Sequence, residues 1–155
     1  MKHYFFTLLI FSSIHAYSQS NETIMPFVKS VERNFHLKGS YKEDTCFYSY
    51  ALLKMDTDSN YKVYSISLSD NAEDWLVEEF DKVKGKFILK PIEDYAQKNK
   101  IKSMSFFFPL IIRKDAVNCR LGSRYPVLSK QLFRFNNEWI HGYCAFENPI
   151  EIIYQ

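Results

Sequence analysis

Between residues 23 and 35, TIMPFVKSVERNF sets Ile24, Phe27, Val28, Val31 and Phe35 on one side of a helix, with Lys29, Glu32 and Arg33 opposite. That spacing predicts an amphipathic helix with one buried face. Pro26 is tolerable in the first turn, where its absent N–H has no intrahelical role, and Gly39 is expected to end the element. CFYSYALLKM (46–55) and YKVYSISLS (61–69) are β-rich, the second with alternating Tyr64, Ile66 and Leu68. They flank DTDSN (56–60), whose Asp, Ser and Asn side chains favour a turn, so the two predict a β-hairpin. The Asp-rich turn lacks the central Gly and distal Glu of a calcium loop.

SDNAEDWLVEEFDKVKG (69–85) predicts a second helix. Ser69, Asp70 or Asn71 would cap it, Ala72, Trp75, Leu76, Phe80 and Val83 would form its buried face, and Gly85 would close it. Its acids Glu78, Glu79 and Asp81 have no His or Cys at ligand spacing, so they read as a solvated face and not as a metal site. KFILKP follows as a short segment, and EDYAQKNK as a polar stretch. In SMSFFFPLIIRK (103–114), Met104, Phe106, Phe108, Leu110 and Ile112 alternate onto one apolar face. That period of two predicts a strand.

Pro109 interrupts it. Proline has no N–H to donate, so a position flanked by two partner strands is disfavoured and an edge strand is expected. An edge of this kind leaves backbone groups free for strand addition. The residues expected to bind a partner there are Ser103, Ser105, Phe107, Pro109, Ile111 and Arg113. The remainder begins with a loop, DAVNCRLGSRYP. LFRF, the Asn136–Asn137 turn and EWIHGYCAF then predict a further hairpin, and IEIIY a last short strand.

The first residues change the picture. MKHYFFTLLIFSSIHAYSQSN joins a short positive start to an apolar run from Tyr4 to Ile14, with small residues at Ala16 and Ser18. This is the layout of a cleavable secretory signal peptide, cut after Ser18. The mature part, 19–155, is expected to be one domain in the periplasm or outside the cell, with no membrane span once the leader is removed. In such a compartment two of Cys46, Cys119 and Cys144 can pair, and Cys119–Cys144 is the expected disulfide. A formal charge of +2, without a basic stripe, points to no nucleic-acid partner. The high aromatic content, 17%, suits half-buried pleated faces.

In order, LLKMDTDSNYKVYSISLSD, DWLVEEFDKVKGKFILKP and SFFFPLIIRK resemble the C-terminal domain of TonB-like proteins over about residues 45–113. Leu76 and Val83 match that family's helix core, Phe87 and Pro91 its segment after the helix, and Pro109 the proline of its last strand. Neither an uncleaved membrane anchor nor a proline-rich spacer accompanies them, so the resemblance does not extend to energy transduction. It implies a three-stranded sheet backed by helices, which binds a partner's extended segment at the edge strand 103–112.

Catalytic readings start from His141, Cys144 and Asn148, or from His36. In a strand, the offset of three sends His141 and Cys144 to opposite faces, and two ligands fall short of a zinc site. There is no phosphate-binding Gly-rich loop, nucleophile elbow or zinc-protease motif. The expectation is an α+β fold, a small antiparallel sheet with helices on one face and a C-terminal β-hairpin over about 131–154. Its function is non-catalytic binding of a protein or peptide by strand addition, without cofactor or metal. The alternatives are an exported hydrolase, or a structural protein that pairs with its own copy as a homodimer.

Overall fold

A computed structural model of the 155-residue chain describes residues 22–35, 47–114, 130–142 and 144–154. The leader, His36, Gly39, Cys46, Cys119 and the 115–126 loop lie outside the described residues. The fold is mixed α+β. Helix α1 (22–34) is followed by strands β1 (Phe47–Thr57) and β2 (Val63–Leu68), then helices α2 (Asp74–Val83) and α3 (Lys90–Lys98). Next come β3 (Ser105–Lys114), the short strands β4 (Arg134–Phe135) and β5 (Glu138–Trp139), then β6 (Cys144–Phe146) and β7 (Ile150–Tyr154).

The main sheet runs β2-β1-β3, with β6 and β7 both paired to the far side of β3. β1 meets β3 antiparallel without a break, from Phe47 opposite Lys114 to Asp56 opposite Ser105. The alternation read from the sequence decides which side chains face the helices. Ala51, Leu53 and Met55 of β1 join Phe106, Phe108, Leu110 and Ile112 of β3 in one buried cluster. Ile24, Phe27 and Val31 of α1 and Phe35 just after it close over them, with Leu76, Phe80 and Val83 of α2 and Ile92 and Ala96 of α3. The Phe27 and Phe108 rings lie 5.1 Å apart. Each such buried apolar side chain contributes on the order of 1.5–3 kcal/mol. Buried Ser30 ties α1 to the segment after α2: its hydroxyl donates to the Phe27 carbonyl (2.8 Å) and accepts from the Ile88 N–H (3.0 Å).

The opposite face of the sheet is partly covered as well. Leu52 and Phe107 point away from the helices and meet Leu132 and Phe135. The covering piece is the β4–β5 hairpin, whose Asn136 and Asn137 both take positive φ (53° and 65°). Asparagine tolerates that region, and a two-residue turn of this hand matches strand twist. The hairpin is tied down where the Asp70 N–H donates to the Arg134 carbonyl (2.8 Å) and the Asn137 N–H to the Asp70 carboxylate (2.8 Å).

Several local expectations are corrected. The second helix starts at Asp74 and not near residue 69, with Glu73 at its N-cap and no side-chain cap. Ser69 is instead the corner after β2: its hydroxyl accepts from the Leu52 N–H (2.8 Å) and donates to Asn71 (2.6 Å). The polar stretch after Pro91 forms α3, which carries proline at its first turn and buries Ile92 and Ala96. EWIHGYCAF is not one strand, because β5 ends at Trp139 and β6 starts at Cys144. His141 therefore lies between strands, next to Gly142 at φ 86°.

Candidate functional site

The expected edge strand is an interior strand. β6 pairs parallel to β3 at Ser105–Phe107, and β7 pairs parallel at Leu110–Lys114. The physical reason this is compatible with Pro109 lies in strand parity. The Glu147 N–H donates to the Phe107 carbonyl (2.8 Å), so the backbone groups of Phe107 point toward the tail. Two residues on, those of Pro109 point the same way, and opposite Leu52 proline removes nothing from the β1 ladder. Its missing N–H falls in the seam between β6 and β7, where residues 147–149 carry the chain from one to the other. Both sides of β3 are paired, and the tail does the covering.

The residues expected at that edge are scattered accordingly. Ser103 precedes the strand at φ 52°, its N–H on the Asp58 carbonyl (3.3 Å). Ser105 donates its hydroxyl to the Asp56 carboxylate (2.6 Å) within the sheet. Phe107 is fully buried, stacked against Phe146 at 5.1 Å and near Phe135 at 5.7 Å. Pro109 is partly buried, Ile111 is opposite Glu151, and Arg113 forms an ion pair with Glu151 (3.1 Å). Cys144 carries an exposed thiol, and the expected bridge falls on Cys119, outside the described residues.

The tail holds on unevenly. Ile150 and Ile152 of β7 are buried in the main cluster, whereas Phe146 of β6 is 55% exposed and Cys144 is exposed. Glu147, at the seam, is half-buried, and that burial pushes its carboxyl above the usual carboxylate range.

The open edge is on the other side of the sheet, at β2. The Ser69 N–H donates to the Leu52 carbonyl (2.9 Å), which turns the backbone of Leu52 toward β2. By period two, Lys54 and Asp56 face β2 also, and they stand opposite Ser67 and Ser65. Ser65 and Ser67 therefore hold the ladder, and the N–H and C=O groups of Ile66 and Leu68 point outward. Among the described residues nothing pairs with those outward groups. One end of the edge is a β-bulge: Asp56 is opposite Ser65 and Thr57 opposite Val63, which leaves Tyr64 as the extra residue. Bulges re-aim side chains at sheet edges, and Tyr64 is 70% exposed.

An open groove of about 420 Å³ runs beside this edge, lined by Tyr64, Ser65, Ile66, Lys84, Gly85, Phe87 and Leu89. The short 3₁₀ turn Lys84–Lys86 that ends α2 supplies its far wall. The sequence marked β2 as half of a hairpin, but nothing in its alternation says that its outer side is the one left open. The bulge signal was also faint, being a single extra residue in a regular run.

The polar turn between β1 and β2 works through Asp58, whose carboxylate accepts the N–H groups of Asn60 (2.7 Å) and Lys62 (2.8 Å). Among the described residues no group of His, Cys, Asp and Glu side chains could hold a metal ion. His141 is exposed. No helix among the described residues is long and apolar enough to cross a membrane. In comparisons with known proteins, no family model matches this chain, and no curated protein or solved structure does either.

Proposed function

We propose that this chain is an exported, non-catalytic module that binds an extended protein or peptide segment by strand addition, with β2 as the accepting edge. The observation that carries the reading is the pair of outward-facing residues Ile66 and Leu68, without a backbone partner among the described residues, beside the groove walled by Phe87 and Leu89. Main-chain hydrogen bonds to such an edge give affinity, and neighbouring pockets give specificity. The resemblance of residues 45–113 to TonB C-terminal domains supports the same class of activity and a ββαβ core. The accepting strand differs, because in this chain the C-terminal segment covers β3. The apolar leader supports release into the periplasm or beyond.

The test is selection of a displayed library of random eight-residue peptides against the full mature chain. Ile66→Pro removes one outward donor and leaves the inward bonds of Ser65 and Ser67 in place, while Ile66→Val keeps the donor. Selected peptides should bind Ile66→Val about as well as wild type and bind Ile66→Pro at least about ten-fold more weakly, roughly one charge-free hydrogen bond with its flanking contacts. Thermal melts confirm that both variants are folded. Peptides that bind the proline variant undiminished would overturn the reading, as would a chain that forms dimers through β2 and leaves no free edge.

A further inference from the structure

The open edge of β2 has one closed end. Resting on the strand-addition reading above, we infer that the Glu93 carboxylate of α3 guards the Val63 end of β2, so that an added strand pairs with Ile66 and Leu68 and stops at Tyr64.

The Val63 N–H is a further donor on this strand, and it is not spent on β1. It donates to Glu93 Oε1 (3.4 Å), while Glu93 Oε2 accepts from the Lys62 ammonium (2.6 Å). Both ends of this contact are held in place. Glu93 lies in the first turn of α3, next to Ile92, which is fully buried in the main cluster. Lys62 is fixed through its backbone: its N–H donates to the Asp58 carboxylate (2.8 Å), and its carbonyl accepts from the Asp58 N–H (2.9 Å). The Glu93 side chain is 15% exposed, against 60% for Lys62. The carboxylate therefore sits in the junction between α3 and β2, with little of it in solvent.

A strand added beside β2 offers a carbonyl to each outward N–H. At Ile66 and Leu68 no group among the described residues holds that place. At Val63 the place is held by Glu93 Oε1, and a carboxylate accepts hydrogen bonds without donating any, so an incoming carbonyl oxygen meets a second acceptor. Charged side chains blunt sheet edges in this way. The bulge at Tyr64 separates the guarded end from the open one. A segment that runs on past Tyr64 gains nothing from its extra length.

The test uses peptides selected on the full mature chain. Each is trimmed to the shortest form that keeps its affinity, then lengthened by Thr-Val-Thr at both ends. Binding is measured for wild type, Glu93→Ala and Ile66→Pro, with thermal melts to confirm that each is folded. Lengthening should change wild-type affinity by less than about two-fold and raise that of Glu93→Ala about five-fold, the effect of one more main-chain hydrogen bond. Without peptide, Glu93→Ala should speed amide exchange at Val63 several-fold and leave Leu53 unchanged. An equal gain from lengthening in both chains, with binding still weakened by Ile66→Pro, would overturn the guard and leave strand addition standing. Val63 exchange that ignores Glu93 would do the same. Binding that ignores Ile66→Pro, or a selection that yields no peptide, would overturn both.

Discussion

The two sides of β3 are built differently. Toward β1 the ladder is antiparallel and unbroken, and its side chains enter the main core. Toward the tail it is parallel and in two short pieces, with a break beside Pro109. One strand therefore carries a side that is integral to the core and a side that is assembled from separate segments. The difference teaches that a proline in a strand constrains one side of that strand, not both. Its N–H would have pointed toward the tail, so only the tail needed a gap.

Moving the proline by one residue breaks this arrangement most severely. Leu110 is opposite Ala51 with its N–H toward β1 and its side chain fully buried. Leu110→Pro loses a core side chain and a ladder bond together, and chemical denaturation should show a loss of at least about 4 kcal/mol. A variant with the wild-type midpoint would show that the parity assignment is wrong.

The two halves of the tail should differ next. Ile150 is buried in the main cluster, so Ile150→Ala should cost about 3 kcal/mol by the same measurement. Phe146 is mostly exposed despite stacking on Phe107, and Phe146→Ala should cost about 1 kcal/mol or less. Equal losses would mean that β6 is as integral as β7. Native-state hydrogen exchange sharpens the contrast without mutation. The Glu147 amide, bonded to the Phe107 carbonyl, should exchange by local opening about 100-fold faster than the Leu53 amide in the β1–β3 ladder.

The smallest effect belongs to Glu147 itself. Burial raises its folded-state pKa above the unfolded value, so its ionisation opposes folding. This contribution favours the fold most below the unfolded carboxylate range and fades as pH rises through the raised folded value. Glu147→Gln should increase the melting temperature at pH 7 and flatten the dependence of stability on pH between mildly acid and neutral solution. A lower melting temperature at pH 7 would show that the carboxylate makes a favourable contact in the fold.

Much of the fold was legible in the chain. The three-and-four spacing of Ile24, Phe27 and Val31 named the buried face of α1, and the alternation of Phe106, Phe108, Leu110 and Ile112 named the core face of β3. Asn136–Asn137 marked a hairpin that is there. Helix α3 was harder to see because only Ile92 and Ala96 among its residues are buried, too few to give a clear period. The candidate site was not legible. Pro109 was correctly read as barring a hydrogen bond, but the side on which it bars one depends on which residues of β3 face β1.

The chain by itself determined its element types and which face of each is apolar, because those follow from periodicities of two and 3.6 that neighbouring residues impose on one another. Only the tertiary structure decided which strand lies at the rim. Edge and interior differ in pairing between segments far apart in sequence, here the tail with β3, and period-two alternation is the same whether a strand has one partner or two.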